Sequence, residues 1–176
     1  METTIEGYKL HRLLVDDRSL HEEMSKEIVA NLPREDFLLP MTASEYDDAF
    51  AEGAGDVILG LFDGDRLIAT SALLHDTRAY IQQWEVREAM MHRCAEIGEC
   101  MVLPAYRGKS LMLKLNQLLL QEAQALGIEN LLATAHPENE ASNNSLQRFG
   151  FRRVKTFTRS GVLRNLYVMK VPRNRR

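Results

Sequence analysis

Val102-Leu103-Pro104-Ala105-Tyr106-Arg107-Gly108-Lys109-Ser110-Leu111-Met112 joins two segments of different period, and that change decides the fold. Upstream, the run through Ile97, Cys100 and Val102 reads as a strand that enters the turn at Pro104. Downstream of Ser110, the apolar residues Met112, Leu115, Leu119, Ala123 and Leu126 recur at intervals of three and four, with Lys114, Gln117, Gln121 and Gln124 on the other side. That is the pattern of an amphipathic helix lying on a sheet, with Gly127 as its left-handed stop. Asn130 to Ala135 is short and apolar, as in a strand buried on both faces, so the order strand, helix, strand predicts a parallel crossover.

The flanking segments extend this pattern. Tyr8 to Val15 is expected as a first strand, Ser19 to Leu32 as a helix ending before Pro33, and Ser44 to Ala51 as a second helix. Val57 to Phe62 and Leu67 to Leu74 flank Asp63-Gly64-Asp65 and predict a hairpin. A helix over Ala141 to Phe149 stops at Gly150, and Phe151 to Phe157 pairs with Val162 to Val171 through Ser160-Gly161. The class is α/β with a mixed sheet. Asp76 to Cys94 has no clear period and is read as an insertion of unassigned conformation. Its Tyr80, Trp84, Met90 and Met91 are candidates for lining a substrate pocket, although such residues are more often simply core.

Composition excludes several function classes. A chain of 176 residues without repeats or linkers fits one domain, taken as 1–172, followed by a basic tail at 173–176 that reads as a solvated terminus. The net charge of −3 gives no electrostatic case for nucleic acid. The acidic N-terminus and the lack of a long apolar run argue against secretion and membrane insertion. Cys94 and Cys100 form no ligand motif with the five scattered histidines, so no metal is expected and a reducing cytoplasm fits.

The Arg107 to Met112 segment lies where a strand ends and a helix begins. Free N–H groups and the positive end of the helix dipole meet there, and a glycine lets an anionic group approach the backbone. The segment does not match a Walker A loop, which would need glycine where Leu103 stands. It resembles instead the pyrophosphate motif of the GNAT superfamily of CoA-dependent N-acetyltransferases, in which Arg or Gln opens a six-residue pattern ending in Gly-x-Gly or Gly-x-Ala. His136-Pro137-Glu138-Asn139-Glu140-Ala141-Ser142, continuing to Arg148-Phe149-Gly150-Phe151, is similar to the family's second motif. The close resemblance covers about 95–171, while the earlier residues match only in the order of their elements.

The resemblance implies a GNAT-like, partly splayed central sheet with helices on both faces, and acetyl-CoA as acyl donor. It places Met101 and Val102 against the pantetheine arm, with the Val102 N–H on the thioester carbonyl. Arg107, Gly108, Lys109, Ser110, Leu111 and Met112 surround the diphosphate, and Asn139 lies beside the cofactor's amide arm. The implied reaction is direct attack by the amine of a small molecule or peptide, with a homodimer left open. Glu96 is the first candidate for the base, in an order, Ala95-Glu96-Ile97, that resembles the base-bearing strand of histone-acetylating members. Regular alternation puts Glu96 on one face with Cys100 and Val102, and Glu99 on the other. Both carboxylates also read as ordinary half-exposed strand residues; His136 could act in place of either, although a residue in such a loop motif is more often structural.

Three positions depart from the family pattern. Ser110 and Met112 stand where glycine and a small residue are usual, and Leu146 where many members carry a tyrosine that protonates the thiolate. These departures motivate a second reading, a GNAT-like protein that binds acyl-CoA without turnover.

Overall fold

The computed structural model describes residues 3–77, 80 and 93–172. Strands β1 (Thr4–Ile5) and β2 (Tyr8–Arg12) lead into helices α1 (Arg18–Ala30) and α2 (Ala43–Ala49), then β3 (Val57–Asp63) and β4 (Arg66–Leu74). After these come β5 (Cys94–Val102), α3 (Leu111–Ala125), β6 (Asn130–Ala135), α4 (Glu140–Phe149), β7 (Arg152–Arg159) and β8 (Val162–Lys170). The eight strands form one sheet in the order β1-β2-β3-β4-β5-β6-β8-β7. Among the described residues only β5 and β6 pair in parallel, which is the crossover expected around α3.

Two expectations change at the N-terminal half. The first strand stops at Arg12, because Asp17 turns back to accept the Leu14 N–H at 2.9 Å and starts a short 3-10 turn before α1. A preceding hairpin was not foreseen; its turn residues Glu6 and Gly7 both hold positive φ, 54° and 84°. The segment 81–92 lies outside the described residues, as do 78–79 and the tail 173–176, so the readings placed on Trp84, Met90, Met91 and the tail are outside them too.

Helix α3 buries Leu111, Leu115, Asn116, Leu119 and Ala123. Its inward stripe therefore begins one residue earlier than expected: Met112 is half-buried, and Leu126 is 50% exposed. Four-residue steps from Leu111 keep one face inward over three turns, whereas Leu126 falls at the C-cap beside Gly127, at φ 71°. Leu115 joins a cluster with Met24, Ile28, Leu61 and Met101, and Leu119 joins another with Ile97, Leu131 and Tyr167. The helix thus fixes the height of β5 from one side, while α1 contacts β4 and β5. No helix among the described residues is long and apolar enough to cross a membrane.

Candidate functional site

The β5–β6 ladder consists of Cys94↔Asn130, Ala95↔Leu131 and Glu96↔Leu132, and it stops there. Both strands continue, β5 to Val102 and β6 to Ala135, so the sheet opens between them. On its other edge β5 stays bonded to β4, with Leu103 N–H donating to Ile68 O at 3.0 Å. Antiparallel backbone groups alternate in direction, so the Val102 N–H faces away from β4, into the opening. The Val102 carbonyl accepts from Arg107 Nε at 3.2 Å.

The loop beyond β5 supplies the second part of the site. Gly108 holds φ 80° and Ser110 φ 57°, both left-handed, before the first turn of α3. The family's preference for glycine at the Ser110 position has its cause here, because a side chain resists that conformation. A Cβ added at Gly108 would meet nothing within 4 Å, so the backbone there is open to a ligand. The exposed amides at the start of α3 and the left-handed turns before it form an anion cradle. This arrangement fits a diphosphate.

The side chains expected around that diphosphate behave differently from one another. Leu111 is buried in the core, so only its backbone is offered. Lys109 directs its ammonium to the Tyr8 hydroxyl at 2.5 Å and lies over the rings of Tyr8 and Tyr106, at 5.1 Å and 5.6 Å. Asn139 caps α4, its Oδ1 accepting from Ser142 N at 3.2 Å, which leaves only Nδ2 to an amide arm. Leu146 is buried at 7% exposure and packs in the core. His136 is also structural: Nδ1 accepts from Glu138 N at 3.1 Å, and Nε2 lies 3.5 Å from Asp36 Oδ2.

The expected alternation of the β5 carboxylates fails. Thr70 pairs with Met101 and Ala72 with Gly98, leaving Ser71 opposite both Glu99 and Cys100. Glu99 is the extra residue of this β-bulge, at φ 48°, and its carbonyl is taken by the Thr70 hydroxyl at 2.8 Å. The bulge resets the parity of the strand. Cys100 now faces Ser71 and Asn116 of α3, whereas Glu99 turns to α1. Glu96 and Glu99 consequently share the side opposite α3.

Their environments on that side differ. Glu96 Oε1 accepts from Arg159 Nη1 at 3.2 Å, and the same nitrogen donates to the Tyr80 hydroxyl. Glu99 Oε2 lies 3.8 Å from His21 Nε2, and neither atom has a hydrogen-bond partner. Burial pushes the Glu99 carboxyl up to about 8, with the charges of Glu96 and Glu45 adding to the effect and Arg159 opposing it. Burial pushes His21 down to about 4, against a smaller opposing effect of Glu22. Among the described residues no group of three or more His, Cys, Asp or Glu side chains could hold a metal ion.

The His21 shift has a consequence for stability. A histidine ordinarily near 6.5 that is held near 4 when folded favours the fold fully above pH 6.5, and this contribution is lost as pH falls toward 4. Denaturant unfolding at pH 7 and pH 5 is expected to show an acid loss about 2 kcal/mol smaller in His21→Asn than in the parent chain. Equal losses in the two proteins would show that His21 does not stay neutral in the fold.

Sequence reasoning missed His21, Tyr46 and Arg159 as members of this site. They lie 78, 53 and 60 residues from Glu99 along the chain, and no periodicity or motif links them.

Comparison with known proteins agrees with this geometry. Residues 19–151 match the family model described as the acetyltransferase (GNAT) family. None of the curated proteins matches significantly. Among solved structures, an N-acetyltransferase from Staphylococcus aureus Mu50 superposes with a TM-score of 0.72 at 19% identity, over 95% of this chain and 100% of that one. The protein yncA from Salmonella typhimurium, solved with its cofactor acetyl-CoA, gives 0.71 at 15% identity, over 97% and 98%. The ribosomal-protein-S18-alanine N-acetyltransferase from Escherichia coli gives 0.67 at 13%, over 93% and 94%.

Proposed function

The chain belongs to the acetyltransferase (GNAT) family, and we propose that residues 1–172 act as one cytoplasmic N-acetyltransferase domain that moves an acetyl group from acetyl-CoA to the primary amine of a small molecule or peptide. The observation that carries this reading is the opened edge of β5 beyond Glu96, running directly into the left-handed Gly108 loop and the α3 N-terminus. Acetyl-CoA supplies an activated thioester carbonyl. On this reading the amides of Gly108 to Met112 hold the diphosphate, with Arg107 adding positive charge beside it and Lys109 contributing through its backbone while its ammonium rests on Tyr8. Met101 and Val102 lie along the pantetheine arm, and Asn139 beside its amides. The Val102 N–H donates to the oxygen that gains negative charge as the amine attacks. The attacking nitrogen must first lose a proton, and Glu96 and Glu99 are the carboxylates assigned to receive it on this reading. Glu96 accepts a hydrogen bond from Arg159, while Glu99 is held by burial at a proton affinity better matched to neutral pH.

Thermal melting with acetyl-CoA tests the donor. At about a hundred times the dissociation constant, binding should stabilise the protein by about 2.7 kcal/mol. No shift at millimolar acetyl-CoA would overturn the donor assignment. Thioester consumption with a panel of small amines and peptide N-termini tests transfer. The burial of Leu146 at the family's tyrosine position favours a second reading, an acyl-CoA-binding protein without turnover. Tight binding without transfer to any amine would support that reading over the first.

A further inference from the structure

The buried pair on the α1 side of β5 carries an inference that rests on the transfer reading and deepens it. His21 is fully buried and Glu99 is 9% exposed, yet His21 Nε2 and Glu99 Oε2 face each other at 3.8 Å with no partner for either atom. Leaving two polar atoms buried and unpaired costs stability, so an arrangement that keeps both calls for a reason. The separation is too long for a direct hydrogen bond and short enough for one donor to reach both atoms. The other ring nitrogen of His21 is fixed, since Nδ1 lies 3.0 Å from the Tyr46 hydroxyl. The Tyr46 and Phe50 rings pack edge-on against the imidazole at 5.6 Å and 5.8 Å. On β5 the bulge and the Thr70 hydrogen bond hold the Glu99 backbone in a left-handed conformation that a regular strand would not adopt. Two independent devices, one on the helices and one on the strand, therefore aim two acceptor-capable atoms at one point.

We propose that His21, clamped by Tyr46, is a positioning residue that orients Glu99 as the group removing the acceptor's proton. The step is an exchange of one proton: the acceptor ammonium gives a proton, directly or through one water, to the Glu99 carboxylate, leaving a neutral amine and a neutral carboxylic acid. Glu99 then returns the proton to solvent. A neutral His21 accepts at Nε2 when Nδ1 carries the ring proton toward Tyr46, so it can hold an ammonium or water beside Glu99 without competing for the charge. The other titratable and charged groups facing the pair among the described residues are Glu22 on α1, Glu45 on α2, Glu96 on β5 and Arg159 on β7.

Three variants and two readouts separate this proposal from the reading beneath it. Glu99→Gln should lower kcat by about 10²–10⁴-fold and remove the rise in rate with pH expected of the parent through about pH 8. A retained pH limb in Glu99→Gln would overturn the base assignment. His21→Phe keeps the ring volume and removes both nitrogens; it should lower kcat by about tenfold or more, displace the same limb and leave acetyl-CoA affinity unchanged. His21→Gln, which restores an amide near the Nε2 position, should recover part of the loss. An unchanged kcat and limb in His21→Phe, alongside a disabled Glu99→Gln, would overturn the positioning role while keeping Glu99 as base. The second readout needs no acceptor: carbon-13 NMR of the Glu99 carboxyl, assigned by its loss in Glu99→Gln, should show a titration midpoint displaced in folded His21→Phe. The same midpoint in both proteins would overturn the coupling even if the transfer reading itself failed.

Discussion

Gly108→Pro is expected to abolish acetyl-CoA binding while leaving the fold intact. Gly108 holds φ 80° in an exposed loop, and proline fixes φ near about −65°, so the turn that brings the backbone to the α3 N-terminus cannot form. The substitution also removes the Gly108 N–H. A hydrogen bond to a charged group contributes about 1.5–3 kcal/mol, and the displaced loop withdraws neighbouring donors as well, so affinity should fall by at least about 100-fold. The core does not depend on this loop: Gly108 is exposed, and a Cβ there meets nothing within 4 Å. Gly108→Ala isolates the conformational part, because it keeps the N–H and disfavours only the positive φ. Calorimetric titration with acetyl-CoA checks both variants, and normal affinity in a folded Gly108→Pro protein would place the diphosphate elsewhere.

The second large effect is expected in turnover with cofactor affinity largely retained. Val102→Pro removes the N–H that faces the opening between β5 and β6. That group is not part of the β4 ladder, which at this point uses Leu103 N–H to Ile68 O. Proline is tolerated where a strand donor faces away from its partner, so the sheet should survive. Loss of one donor to a developing oxyanion costs about 10²–10³ in kcat. Steady-state kinetics with a competent amine, together with the acetyl-CoA thermal shift, check the outcome. An undiminished kcat would remove Val102 from the chemistry.

Much of the fold was legible because its signals are local. Four-residue apolar spacing from Leu115 through Ala123 identifies a helix wherever it packs, and Gly127 and Gly150 end helices through their own left-handed conformations. The Arg107 to Ser110 turn was legible for the same reason. The face of each β5 side chain was not, because alternation assumes one residue per partner, and the extra residue opposite Ser71 breaks that rule through pairing with β4. Likewise, Lys109 adds a basic charge to the loop in sequence, but Tyr8 and Tyr106 draw its ammonium toward the β2 side.

The sequence alone determined the α/β order of elements, the strand–turn–helix around Gly108 and the family resemblance that rests on it, since each depends on residues within one or two turns of each other. Tertiary structure alone decided that Glu96 meets Arg159, that Glu99 shares its side, and that His21 faces Glu99 across a gap of 3.8 Å. Those contacts join residues 63 and 78 positions apart, and their geometry follows from how α1, β5 and β7 pack together.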